Sequence, residues 1–221
     1  KPVVLVLCTG RPLTLTREQE NLGAILNIWF PGTEAGHAVA DVLFGEVNPS
    51  GKLTLSFPHN EGQIPVYYNS KSTGRPYVPD EWYVTRYQDC PNTPLYPFGY
   101  GLSYTTFEYS DITLDSNSLD ADGKLTARVT VKNTGKYTGT ETVQLYIRDV
   151  VASVTRPVKE LKNFRQITLK PGQSEEVVFE ITEPDLRFWN DKKQFISEPG
   201  EFHLFIGHDS EQAAKAEFNL L

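Results

Sequence analysis

From Val3 to Leu7 the chain is continuously apolar, the pattern of a strand covered on both faces. Thr16-Arg17-Glu18-Gln19 then matches a capping box, and Leu22, Ile25 and Leu26 supply the apolar stripe of a short helix. A second apolar run ends at Ile28, Trp29 and Phe30, where Pro31-Gly32 stops it. Thr33 is placed to cap a further helix, with Glu34 against the positive end of its dipole. Ala35, Ala38, Val39, Val42 and Leu43 follow at the spacing of one buried helix face, and Gly45 fits the left-handed position that ends it. Asn48-Pro49-Ser50-Gly51 is a turn, after which Lys52–Phe57 run extended with Leu53, Leu55 and Phe57 on one side. Strand, helix and strand joined by short links imply parallel crossovers, so residues 1–58 read as β-α-β-α-β. Three parallel strands leave at least one edge bare.

The periodicity fades after that point and returns in another form. Residues 59–107 hold eight of the eleven Tyr and six of the fifteen Pro, in an irregular segment long enough to cover a surface or form a site. A connector packed on its own domain is the alternative. From 108 to 221 strict alternation takes over. Leu125, Ala127, Val129 and Val131 share one face; Val143, Leu145 and Ile147 share another; Val177, Phe179, Ile181 and Phe202, Leu204, Ile206 repeat the phase. Turn signals at Asp122-Gly123, Asn133-Thr134-Gly135, Lys170-Pro171-Gly172 and Glu198-Pro199-Gly200 separate the runs, which predicts a two-sheet sandwich. The fold class is thus α/β plus all-β.

Charge and composition narrow the chemistry. A net charge of −7 argues against nucleic acid or an anionic membrane as partner, and no apolar run is long enough to cross a bilayer. The chain opens on a strand, contains no Met and carries no signal peptide, which suggests a piece of something longer. Its two Cys, Cys8 in the first strand and Cys90 in a loop, read as one buried and one unpaired thiol. The four His (His37, His59, His203, His208) match no zinc spacing, and neither a metal nor a cofactor is expected. Thr9-Gly10-Arg11-Pro12 lies at the carboxyl edge of the first strand, where open α/β sheets bind ligands, but it is no dinucleotide fingerprint. Arg11 there could meet a ligand or form a salt bridge. Glu34 on its Gly-rich turn suits a structural anion better than a general acid, because a helix N-terminus favours the ionised form. Arg86, Tyr87 and Asp89 in the irregular segment could hydrogen-bond a sugar; an Arg–Asp pair within the loop is the plainer reading. No complete active site emerges.

Four stretches carry a family resemblance: "WFPGTEAGHAVADVLFGEVNPSGKLTLSFP", "GQIPVYYNSKSTGRPY", "LYPFGYGLSYTTFEYSDI" and "RPVKELKNFRQITLKPGQS". In this order they resemble the C-terminal part of glycoside hydrolase family three, nearest the bacterial periplasmic β-glucosidases. Ala35, where a second Gly is common, and Thr54, where Pro is common, are small departures. The resemblance implies three parts: an N-terminal (β/α)8 barrel, an α/β sandwich, and a fibronectin type III-like sandwich. On that basis residues 1–58 would be the end of a partial parallel α/β sandwich, 59–107 its Tyr/Pro-rich connection, and 108–221 the fibronectin type III-like domain. The missing barrel of the same polypeptide becomes the expected partner, a β-linked saccharide the expected substrate, and the periplasm or the exterior the expected location. The family's nucleophilic Asp and its acid/base Glu both fall upstream, so no catalytic residue is expected in this chain. A stand-alone carbohydrate-binding or spacer module is the alternative function.

Overall fold

The computed structural model describes residues 1–78 and 80–221. Its first part contains β1 (Val4–Leu7), α1 (Thr16–Asn21), β2 (Ala24–Asn27) and α2 (Ala35–Phe44). β1 and β2 pair in parallel, Val4 against Ala24 through Leu7 against Asn27, as the crossover reasoning requires. The expected third strand joins no parallel ladder. Lys52–Phe57 is extended, but it turns away from β2: Leu53 N donates to Tyr100 O and Phe57 N to Tyr96 O, and Phe57 bridges Tyr96 antiparallel. Alternation specifies an extended chain with one apolar side; it does not choose the partner.

The helix boundaries also differ from the pattern. α1 ends at Asn21, and Ile25 and Leu26 belong to β2 rather than to a helical stripe. Thr16 forms no capping box; it lies inside the helix and its hydroxyl donates to His59 O at 2.8 Å. α2 ends as expected at Gly45 in the left-handed conformation, whereas its first turn has no side-chain cap. No residue of α2 is buried, and Phe44 is 83% exposed. Val4 and Val6 of β1 are exposed as well, so the two-sided cover inferred for this strand is not supplied by these residues. Cys8 likewise is exposed, one residue beyond the end of β1, with its thiol donating to Trp29 O.

A 3-10 turn (Glu61–Gln63) opens the connecting segment, and the sandwich follows. Its strands are β3 (Phe107–Tyr109), β4 (Thr113–Leu114), β5 (Ser118–Leu119), β6 (Lys124–Asn133), β7 (Gly139–Asp149), β8 (Glu160–Leu169) and β9 (Ser174–Thr182). After a short helix α3 (Glu183–Leu186) come β10 (Phe188–Trp189), β11 (Phe195–Ile196), β12 (Gly200–Gly207) and β13 (Ala213–Leu220). One sheet runs β5-β13-β12-β7-β8; in the other, β6 pairs with β9 and also with β3 and β4. The inward sets read from the alternation are the observed core: Leu125, Ala127, Val131, Val143, Leu145, Phe179, Leu204 and Ile206 are all but inaccessible.

β7 departs from simple alternation because both its faces are covered. Tyr146, on the side opposite Leu145, is fully buried. Tyr68 and Phe98 of the connecting segment stack at 4.2 Å, and Tyr68 meets the Tyr146 ring edge-on at 5.8 Å. The connector therefore divides in two. Residues 95–101 are half-buried or buried, while 69–78 and 85–89 are exposed throughout. Two glycines of the "PFGYG" run explain the tight stretch. Gly99 has φ +84 and a side chain there would strike Gln144; one at Gly101 would strike Gly51 O.

Candidate functional site

Two hollows and one buried polar cluster hold the chemistry. The first hollow is an open groove of about 740 Å³ at the carboxyl end of β1. Arg11, Leu55, Glu61, Tyr67 and Phe98 are among its walls. Thr9 Oγ1 donates to Arg11 O at 2.9 Å, which holds the loop that delivers Arg11 to the rim. Glu61 accepts from Thr14 Oγ1 at 3.3 Å. Among the described residues Arg11 has no carboxylate partner within ion-pair distance. The groove is mainly apolar, and Ile64 and Tyr67 are 60% and 63% exposed on it.

The second hollow, of about 360 Å³, lies in the exposed half of the connector. Arg86 and Tyr87 line it with Tyr77, Gln88 and Asn92. Asn92 organises this loop, accepting from Tyr87 N at 3.0 Å and donating to Thr85 O at 2.8 Å. Asp89, grouped with Arg86 and Tyr87 by sequence, is exposed and does not line the hollow. Among the described residues no Arg86–Asp89 ion pair forms. Glu34 is bound by His37 Nδ1 at 2.7 Å, and both side chains stand in solvent.

The buried cluster was not anticipated. Glu141 of β7 is 1% exposed and accepts from Tyr109 OH at 2.9 Å and from His208 Nδ1 at 2.7 Å, while Lys52 Nζ lies 3.2 Å from its other oxygen. Lys52 also donates to Gly101 O at 2.8 Å. Burial by itself pushes the Glu141 carboxyl up, but the His208 hydrogen bond and the Lys52 charge outweigh it and hold the group below its ordinary value. The same burial and the Glu141 charge push the Tyr109 hydroxyl far upward. One signal for Glu141 was present: it shares the inward phase of Val143, Leu145 and Ile147, where a carboxylate needs partners. The partners arrive from three distant segments, which no spacing reveals. The cluster ties the turn after α2 to the sandwich; Asn48 adds a second tie by donating to Thr138 O at 2.9 Å and accepting from Ser103 Oγ at 2.8 Å.

Retaining glycoside hydrolysis needs two carboxyl groups ~5–5.5 Å apart across the scissile bond. Among the described residues Glu61 is the carboxylate on the first groove, and no Asp or Glu lines the second. Neither hollow is a complete active site within the described residues.

The glycosyl hydrolase family 3 C-terminal domain matches residues 1–104, and a fibronectin type III-like domain matches residues 141–210. The chain is 56% identical over 223 residues to the periplasmic beta-glucosidase of Salmonella typhimurium, spanning 100% of this chain and 29% of that protein. It is 47% identical over 210 residues to a beta-xylosidase of Formosa agariphila, spanning 95% of this chain and 28% of that one. The crystal structure of a beta-glucosidase from Listeria innocua in complex with glucose matches with a TM-score of 0.94 at 46% identity, over 100% of this chain and 31% of that one. The chain thus spans under a third of the length of these relatives. No helix among the described residues is long and apolar enough to cross a membrane. Two family domains in the expected order, joined to relatives matched along nearly the whole chain, lead to one assignment: the chain belongs to glycosyl hydrolase family 3 and corresponds to the C-terminal part of its members.

Proposed function

We propose that this chain works as the C-terminal part of a retaining β-glucosidase, which releases terminal glucose-like units from β-linked saccharides without a cofactor. The observation that carries the proposal is the exposed apolar surface of the first part: Val4, Val6, Phe30, Phe44, Leu55 and Tyr67 all face solvent in a chain that matches proteins about three times as long. A (β/α)8 barrel of the same polypeptide would cover that surface and bring the nucleophilic carboxylate to the carboxyl edge of β1 and β2. The chain's own work is packing and positioning. Residues 1–58 close an α/β sandwich, 59–107 connect it, and 108–221 form the fibronectin type III-like domain that holds the connector in place. Arg86, Tyr87 and Asp89 are proposed to meet sugar hydroxyls; the Asn92-braced loop presents the first two at a hollow, as such contacts need. Location in the periplasm or outside the cell follows the likeness to the Salmonella protein.

The test uses aryl β-glucoside and aryl β-xyloside, since relatives of both kinds exist. The isolated chain should hydrolyse neither, because it lacks both the nucleophile and the general acid, a step worth about 10²–10⁴-fold on its own. The complete protein should hydrolyse the glucoside, and Arg86→Ala in it should raise KM. Turnover by the isolated chain that Glu34→Gln abolishes would overturn the proposal.

A further inference from the structure

The outer face of the five-stranded sheet is covered at β7 by Tyr68 and Phe98, but the carboxylates on β12 and β13 reach solvent. There the antiparallel register sets His203 opposite Glu217, with Glu201 two residues before His203 on the same face. His203 Nε2 lies 2.9 Å from Glu201 Oε1 and 3.7 Å from Glu217 Oε1. One ligand atom from each of the three side chains falls within 4.8 Å of the other two. Two donors each about 2.0–2.2 Å from a tetrahedral ion stand about 3.3–3.5 Å apart. The two distances to Nε2 bracket that separation, so small rotations about the Glu side chains would set the donors around an ion.

We propose that Glu201, His203 and Glu217 form a surface site for a divalent transition metal, with Zn²⁺ as its reference ion. Imidazole nitrogen and carboxylate oxygen are both ligands Zn²⁺ takes, and three protein donors leave the fourth tetrahedral position to water. Mg²⁺ and Ca²⁺, which take oxygen ligands, gain nothing from the imidazole. The imidazole is 13% exposed and held on its strand, which limits the conformational freedom lost on binding. Two cations oppose the ion. Lys215 Nζ sits 2.6 Å from Glu217 Oε1, and Arg148 is the cross-strand partner of His203 on β7. The site is therefore weaker than its donors alone would make it, and removal of Lys215 should strengthen it. The ligands come from two neighbouring strands with a single His, which is why no zinc spacing marks them in the sequence.

The experiment takes the whole chain, stripped with a chelator and held at about pH 7.5, where the imidazole must be neutral to ligate. ZnCl₂ is titrated in while heat of binding and thermal unfolding are followed. The expected result is saturable binding of one ion per chain with a rise in Tm. His203→Gln should weaken binding at least about tenfold, the loss that removal of even an outer-shell partner brings. Glu217→Gln, on an exposed side chain that the fold does not need, should weaken it too, and Lys215→Met should tighten it several-fold. MgCl₂ should leave Tm unchanged. Zn²⁺ that neither binds stoichiometrically nor raises Tm would overturn the proposal, as would equal Zn²⁺ affinity in the parent and in both His203→Gln and Glu217→Gln.

Discussion

Replacing Glu141 with Gln should destabilise the chain by about 2–3 kcal/mol. Removing one partner of a buried ion pair costs about 3–5 kcal/mol, because the remaining charge stays desolvated. The structure places this case at or just below the lower limit of that range. Lys52 is 14% exposed and keeps its bond to Gly101 O, and a Gln oxygen still accepts from Tyr109 and His208. What is lost is the carboxylate charge between Lys52 and His208. For a chain of this size, about 2–4 °C per kcal/mol translates the loss into a fall of about 4–12 °C in Tm. Thermal and urea unfolding at neutral pH measure it directly. A cycle with Lys52→Met then isolates the pair, and the double variant should lose less than the sum of the single losses. The pH dependence has a definite sign. The folded carboxyl is held below its ordinary value, so its stabilisation is present at neutral pH and fades as pH falls through the carboxylate range. Parent and Glu141→Gln curves should therefore converge in acid. A loss under about 0.5 kcal/mol at neutral pH, the spread of ordinary surface substitutions, would refute the idea that this cluster anchors the sandwich to the turn after α2.

Asp149 should show the opposite behaviour: burial pushes its carboxyl up to about 6 from 3.8, against the opposing pull of Arg156. Its stabilisation is complete only while it is protonated and is lost as pH rises from about 4 through about 6, by at most about 3 kcal/mol. Asp149→Asn should therefore unfold later than the parent at neutral pH and alike near pH 4, with Arg156 still paired to Glu160 at 2.6 Å; a lower Tm at neutral pH would refute this. A fragment of residues 108–221 should unfold cooperatively but less stably than one of residues 95–221, because Phe98 and Gly99 cover Tyr146 and Gln144; equal urea midpoints would show that this cover contributes nothing.

The sequence by itself determined the sandwich and much of the element order before it. The runs Leu125–Val131, Val143–Ile147, Val177–Ile181 and Phe202–Ile206 carry an apolar residue at every second position, and such a strand has one face it must bury, whatever its neighbours. The left-handed end of α2 at Gly45 was legible for the same local reason: glycine alone meets that backbone without strain. Where the segments pair was not legible. Lys52–Phe57 has the same alternation whether it joins β2 in parallel or meets Tyr96, and only the packed chain selected Tyr96. The polar chemistry was hidden more completely. Lys52, Tyr109, Glu141 and His208 are far apart along the chain, and only the inward phase of Glu141 marks any of them as unusual. Glu201 lies beside His203 by the period of β12 alone, but Glu217 joins them only because β13 runs beside β12 in one register. Alternation is a property of neighbouring residues, so the sequence displays it; the company of a charged side chain is set by long-range chain closure, and that belongs to the tertiary structure.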